Sequence, residues 1–164
     1  MSDCPFCHPD PRRLVAESPL ALTLRDAFPL TPGHTLIVPR RHFANLFDAT
    51  GEEIAAIWQA LGRAAADLGA CPALPDQVFP AADARAGAGP AGGPPAATQL
   101  AGTPGRPGSA PTGFNVGVNV GRAAGQTVMH LHVHLIPRVP GDQPDPRGGI
   151  RRIFPERADY WSIR

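Results

Sequence analysis

A chain of 164 residues with a formal net charge of +1 has room for one domain with a real core, and it lacks the strong positive field that nucleic-acid or membrane binding would call for. Its basic residues are all Arg, and no apolar run approaches the ~20 residues needed to cross a bilayer. The first residues, MSDCPFCHPD, have no apolar h-region, so no secretory signal and a cytoplasmic setting are expected, where a C-x-x-C pair suits a metal better than a disulfide.

Residues 13–25 read as two short strands around a Ser18-Pro19 turn. Pro29, Pro32 and Gly33 mark a loop, and Thr35–Val38 is a short apolar run ended by Pro39, the pattern of a buried strand. The clearest helix is 51–68. Ile54, Ile57, Trp58, Leu61, Ala65 and Leu68 recur at three and four, and form one apolar stripe. Thr50 with Glu53 signals a capping box, and Gly69 a stop.

From Pro72 to Gly113 the chain is dominated by Pro, Gly and Ala, with no apolar period. Such a stretch buries too little surface to offset its ordering entropy, so 72–112 is expected to be a disordered insert, with a short helical piece open at 71–80. Loop closure costs only ~0.6 kcal/mol per doubling of length, so residues 1–164 are read as one domain around it.

Order is expected again from Phe114. In FNVGVNV, Phe114, Val116, Val118 and Val120 alternate with Asn115, Gly117 and Asn119, a strand with one buried face. The loop Gly121–Thr127 follows. Val128–Ile136 then alternates again, with Leu131, Val133 and Leu135 on one face and His130, His132 and His134 on the other. Both strands would turn their apolar sides to a core covered by the helix. Asn119 and the three histidines would then share the opposite surface. The tail from Pro140 is punctuated by Pro and Gly and is expected to wrap the domain irregularly.

Three of six histidines lie in one five-residue run. Alternate side chains of a strand stand roughly 6.5–7 Å apart on one face, and three in line converge poorly on one tetrahedral metal. A nucleophile fits better. Neutral imidazole attacks phosphorus near physiological pH, and a covalent intermediate splits one hard displacement into two easier ones. The ring's other nitrogen then needs an acceptor, and the phosphate needs donors. The adjoining Gly125, Gln126 and Thr127 offer close backbone approach and side-chain donors.

The run His130-Leu131-His132-Val133-His134-Leu135-Ile136 resembles the signature of the histidine triad (HIT) family. So do Thr31-Pro32-Gly33-His34-Thr35-Leu36-Ile37-Val38-Pro39-Arg40-Arg41-His42, the segment Gly113–Gly117 through Thr127, and Asp145-Pro146-Arg147-Gly148-Gly149. The resemblance implies an α+β fold: a curved antiparallel sheet of about five strands with a packed helix, usually dimerised so that two sheets become continuous. It implies that His132 is the nucleophile that becomes nucleotidylated, oriented by the carbonyl of His130. By the same resemblance His134 bonds phosphate or the leaving oxygen, and Asn119, Gln126 and Thr127 hold phosphate oxygens beside Gly125. Asp26 would take the ribose hydroxyls, though it also suits a plain turn. His34 would back the histidine cluster, or be a satisfied structural histidine.

Cys4-Pro5-Phe6-Cys7 supplies two zinc ligands from one tight turn. Related triad proteins close such a site with a histidine before the helix and the first of the triad, which implies His42 and His130 here and a structural zinc. His8 is an alternative to His42. Cys4–Cys7–His8 also spells a c-type haem attachment motif, which would need export. Cys71 reads as a lone buried or loop cysteine. Arg147, Arg151, Arg152 and Arg157 could meet a polyphosphate or simply face solvent, and Trp161 could pack on a partner, a base or the core. The function expected is hydrolysis of a dinucleoside polyphosphate or nucleotide phosphoramidate at the phosphate next to the nucleoside. The alternatives are a nucleotidyltransferase or phosphorylase using the same histidine, and a zinc-stabilised nucleotide-binding protein without turnover.

Overall fold

The computed structural model describes residues 4–69 and 110–162. The segment 72–109, and with it Cys71 and the suggested helical piece at 71–80, lies outside the described residues. Thr112, read from composition as the end of the insert, already donates its N–H to the Arg138 carbonyl (2.9 Å). The chain departs and returns at one place: a Cβ built on Gly69 would stand 3.6 Å from the Ala110 methyl.

Five strands, β1 (Leu14–Glu17), β2 (Ala21–Arg25), β3 (Thr35–Pro39), β4 (Gly113–Gly117) and β5 (Val133–Arg138), form one antiparallel sheet in the order β1-β2-β3-β5-β4. The single α-helix among the described residues, α1 (Gly51–Asp67), packs on one face. The β1–β2 hairpin turns where the Ser-Pro step predicts: Ser18 Oγ accepts from Ala21 N–H (3.0 Å), and Ser18 N–H reaches the Ala21 carbonyl (2.8 Å). β3 is buried along its whole length, as its unbroken apolar run requires in the middle of a covered sheet. Gly33, just before it, has φ +83°, and an added Cβ there would meet Leu68 Cδ2 at 2.9 Å, so only Gly fits. No described helix is long and apolar enough to cross a membrane.

Ile37, Leu131, Val133 and Leu135 meet Ile57, Ala60, Leu61 and Ala64 of α1 in the main core. On the opposite face Leu22, Leu24, Leu36 and Val38 are covered by Phe6 from the N-terminal turn. Two expectations shift. Trp58, read as part of the buried stripe, is 46% exposed. The helix instead buries Glu53, Ile57, Ala60, Leu61 and Ala64, the last four packed against the sheet residues Ile37, Leu131, Val133 and Leu135. The two C-terminal strands are also shorter than their alternation. β4 stops at Gly117, and β5 starts only at Val133, because the Leu131 N–H bonds the Phe43 carbonyl (2.6 Å) and not a neighbouring strand.

The capping box forms as read. Thr50 Oγ1 accepts from Glu53 N–H (3.2 Å), and Glu53 Oε2 accepts from Thr50 N–H (2.8 Å). Arg41 clamps the same buried carboxylate through two bonds of 2.8 Å, which holds it down at about 2. Glu53→Ala is therefore expected to cost about 2 kcal/mol, the loss of a cap and a charge-assisted pair. The folded carboxyl titrates below its unfolded value. Its contribution is thus present above pH 4.5 and lost as pH falls through about 2. Urea unfolding of the two proteins at pH 7 and pH 3 measures both effects, and the gap should narrow at pH 3.

Candidate active site

The three histidines of the run point to the face opposite α1, and each has a different set of partners. His132 is 7% exposed. Its Nδ1 lies 2.8 Å from the His130 carbonyl oxygen. A carbonyl only accepts, so Nδ1 carries the proton and Nε2 keeps its lone pair. This is the tautomer a nucleophile needs. The ring contacts both Phe6 (centroids 5.1 Å apart) and His134 (5.1 Å).

His134 obtains its tautomer from a chain of donors. The Leu30 N–H donates to His34 Nδ1 (3.2 Å), which therefore has no proton. His34 Nε2 must then be the N–H, and it donates to His134 Nδ1 (3.0 Å). By elimination His134 carries its proton on Nε2, as a donor. Asp26 lies alongside: Oδ2 is 3.5 Å from His34 Nε2 and 4.0 Å from His134 Nδ1, while Oδ1 accepts from Phe28 N–H (2.8 Å). Asp26, His34 and His134 sit close enough to hold a metal. The Leu30 N–H argues for the hydrogen-bond chain, because a metal on His34 Nε2 would leave two N–H groups facing each other at Nδ1.

Burial lowers the pKa of both His34 and His134, the latter to about 4 with help from His132 and His34, while the Asp26 carboxylate opposes both shifts. Both rings are therefore neutral at pH 7. Folded values below the unfolded one give stability that is present above about pH 6.5 and lost as pH falls toward 4. The melting temperature is expected to drop over that window. His134→Gln should flatten the drop, which calorimetry across pH 4–7 measures.

Of the expected phosphate-holding residues, Gly125 and Thr127 are exposed on the loop, and Gly125 has φ +85°, open to a ligand's close approach. Asn119 is exposed just past the end of β4. Asn119 follows two residues after Gly117, whose partner across the ladder is His134. Gln126 differs from expectation. It is 3% exposed and its amide is turned inward, accepting from Gly121 N–H (2.8 Å) and donating to the carbonyls of Ala44 (3.0 Å) and Val128 (3.2 Å). With both donors used, it holds the loop in shape and is not free to bond phosphate.

The second cluster joins the N-terminal turn to the first histidine. Cys4 Sγ is 3.4 Å and Cys7 Sγ 3.6 Å from His130 Nδ1, and Cys7 Sγ is 3.1 Å from His42 Nδ1. All four ligand atoms lie within 4.8 Å of one another. Tetrahedral zinc with Zn–S near ~2.3 Å and Zn–N near ~2.0 Å sets its ligand atoms roughly 3.3–3.8 Å apart. His130 Nε2 donates to the Pro39 carbonyl (2.8 Å), which leaves Nδ1 unprotonated toward the sulfurs, the orientation a metal-binding imidazole takes. The residues fit the metal.

The tail arginines bond within the tail itself. Arg147 pairs with Asp145 (2.9 Å) and stacks on Trp161 (4.5 Å), and Arg151 lies over Tyr160 (5.2 Å). Sequence reasoning missed Phe6. Its place between two expected ligands was the available signal, since a metal turn carries its middle residues wherever the metal sits.

Residues 9–141 match the model of the HIT domain. An uncharacterized HIT-like protein of Mycobacterium tuberculosis is 31% identical over 140 residues, covering 83% of this chain and 69% of its own length. Two relatives have named activities. One, from Arabidopsis thaliana, is a bifunctional bis(5'-adenosyl)-triphosphatase/adenylylsulfatase (25% identity, 81% of this chain, 53% of its own). The other is the AP-4-A phosphorylase of M. tuberculosis (30%, 79% and 48%). The chain thus spans about half the length of each. A Zn-bound histidine triad family protein from Mycobacterium smegmatis shares the fold with a TM-score of 0.54 and 27% identity, covering 87% of this chain and 84% of its own. A domain match over most of the length, carried by a histidine run whose rings are each fixed by a different partner, means that this chain belongs to the histidine triad family.

Proposed function

We propose that the protein hydrolyses nucleotides at the phosphate joined to the nucleoside, through a nucleotidyl group carried on His132. The observation behind this reading is a pair of contacts, His132 Nδ1 on the His130 carbonyl and His134 Nδ1 on His34 Nε2, which together leave an Nε2 lone pair on His132 beside an Nε2–H on His134. His132 Nε2 attacks phosphorus, a P–N bond forms, and the bond from phosphorus to the leaving group breaks. The Nε2–H of His134 bonds the leaving atom or a phosphate oxygen; a polyphosphate leaves as its anion, and an amine takes one proton from solvent as it departs, which the water step later returns. Water then attacks the same phosphorus, the P–N bond breaks, one water proton passes to solvent, and a mononucleotide leaves. Gly125, Thr127 and Asn119 line the phosphate, with Gln126 holding their loop. The Asp26 carboxylate takes the ribose hydroxyls, which its acceptor-only oxygens suit. Zinc on Cys4, Cys7, His42 and His130 has a structural role, since four protein ligands leave no open position. Residues 1–164 form one cytoplasmic domain with 72–112 as an insert, paired as a homodimer whose two sheets become continuous.

Phosphorolysis is the second reading, favoured by the likeness to a relative named as a phosphorylase. Retention of a histidine at 134, where triad transferases tend to carry Gln, favours water as the acceptor. The test incubates the protein with diadenosine tetraphosphate or adenosine phosphoramidate, with and without inorganic phosphate, and acid-sensitive adducts are mapped after rapid quench. Mononucleotide formed without phosphate, with an adduct on His132, is the expected result. A strict phosphate requirement supports transfer. Tight nucleotide binding with no turnover of either substrate overturns the enzyme reading.

A further inference from the structure

We propose that Phe6 is a positioning residue for His132, and that it carries the state of the Cys4–Cys7 turn to the nucleophile. The turn is tight: Cys7 N–H bonds the Cys4 carbonyl (3.1 Å), and His8 N–H the same oxygen (3.3 Å). Both cysteine sulfurs lie against His130 Nδ1. Phe6 stands between them in sequence, is 6% exposed, and is packed with Leu22, Leu24, Leu36 and Val38 on the histidine face. Its ring meets His132 tilted at 54° with centroids 5.1 Å apart, and His130 edge-on at 6.0 Å.

One hydrogen bond from Nδ1 is a weak hold on the His132 ring: without a wall beside it the ring can swing off the carbonyl, and either nitrogen can then carry the proton. A second constraint is needed to aim the Nε2 lone pair. Phe6 supplies it, in ring contact with His132 as His134 is. Neither Cys4 nor Cys7 reaches His132 in the described contacts. A metal on the sulfurs therefore acts on the nucleophile through two links: the backbone of His130, whose carbonyl receives Nδ1–H, and the Phe6 ring. Displacing a nucleophile by ~1 Å can cost on the order of 100-fold in rate, so a wall of this kind affects catalysis without touching substrate.

This inference rests on the reading of His132 as nucleophile, and its test separates the two. Full-length wild type, Phe6→Ala and Phe6→Leu are compared, each with its zinc content measured. Nitrogen-15 spectra of the histidine rings report the His132 tautomer with no substrate present. Wild type should show one tautomer, with the proton on Nδ1. Phe6→Ala should keep its zinc yet show an averaged pair of tautomers. Its kcat on adenosine phosphoramidate should fall about 10- to 100-fold with KM changed less than threefold. Removing zinc from wild type should produce the same averaging, and should add little in Phe6→Ala. Phe6→Leu, which keeps the apolar volume, decides the matter if the alanine protein fails to fold, and should lie between the two. A single unaltered tautomer in the folded variants, or a loss confined to KM, overturns the proposal. Absence of turnover in wild type overturns the nucleotide-cleavage reading alone, because the spectra still decide this one.

Discussion

The His132→Ala protein is expected to lose on the order of 10⁴-fold or more in turnover of adenosine phosphoramidate, while its melting temperature moves by only a few degrees. Loss of a covalent nucleophile removes the pathway and not merely one contact. The fold should survive, because among the described residues the His132 side chain has a single hydrogen bond, to a carbonyl two residues back. Its removal leaves a small gap beside Phe6 and breaks no strand pairing, since the ladder of β5 begins at Val133. His134→Ala should cost less, about 10²- to 10³-fold, as expected for a donor to a leaving group. The order of these two effects is the informative part. A larger loss at 134 than at 132 would mean that the two rings have been given each other's roles. Stopped-flow or quenched single turnovers, with the melting curve of each variant beside them, supply the comparison.

The parent should bind one equivalent of zinc, and Cys4→Ser less than a tenth of one while melting at least ~10 °C lower. The stretch from Cys4 to the short 3-10 turn at Pro11–Arg13 has no strand pairing of its own. It is attached by Phe6 and by the sulfurs' approach to His42 and His130. Take away a ligand, and the segment's ordering entropy is opposed by one buried ring. Leu22, Leu24, Leu36 and Val38 would then lose their cover. His42→Ala should reproduce the loss of metal. His8→Ala should not, which separates the two histidines weighed as the fourth ligand. Elemental analysis and differential scanning calorimetry provide the readings. A Cys4→Ser protein with full zinc and an unchanged melting temperature would show that the donor set is wrong.

Much of the scaffold was legible because its signals are local. The Ser18-Pro19 turn, the apolar run of β3 and the Thr50–Glu53 box each contain their own explanation, and all three formed. The alternation in HLHVHLI sorted helix face from histidine face correctly. The misplacements share a cause: each depends on a partner distant in sequence. Leu131 is drawn out of the ladder by Phe43. Trp58 stays out of the core because Ile37, Leu131, Val133 and Leu135 of the sheet take Ile57, Ala60, Leu61 and Ala64 as their partners instead. Gln126 has the chemistry of a phosphate donor, but Ala44, over eighty residues away in sequence, takes one of its protons. Period and composition state which groups are available. They do not state which of them the folded chain has already used.

Because Gly69 and Ala110 stand side by side, the two ends that a flexible connection from the helix to β4 has to meet are already held together by the fold. Widening or narrowing that excursion changes closure free energy by only ~0.6 kcal/mol for each factor of two. Mutation can therefore lengthen or trim it with little resistance from the sheet. The same spot is a natural graft point: a reporter peptide or a whole foreign module spliced between 69 and 110 would ride on the molecule without redrawing its architecture.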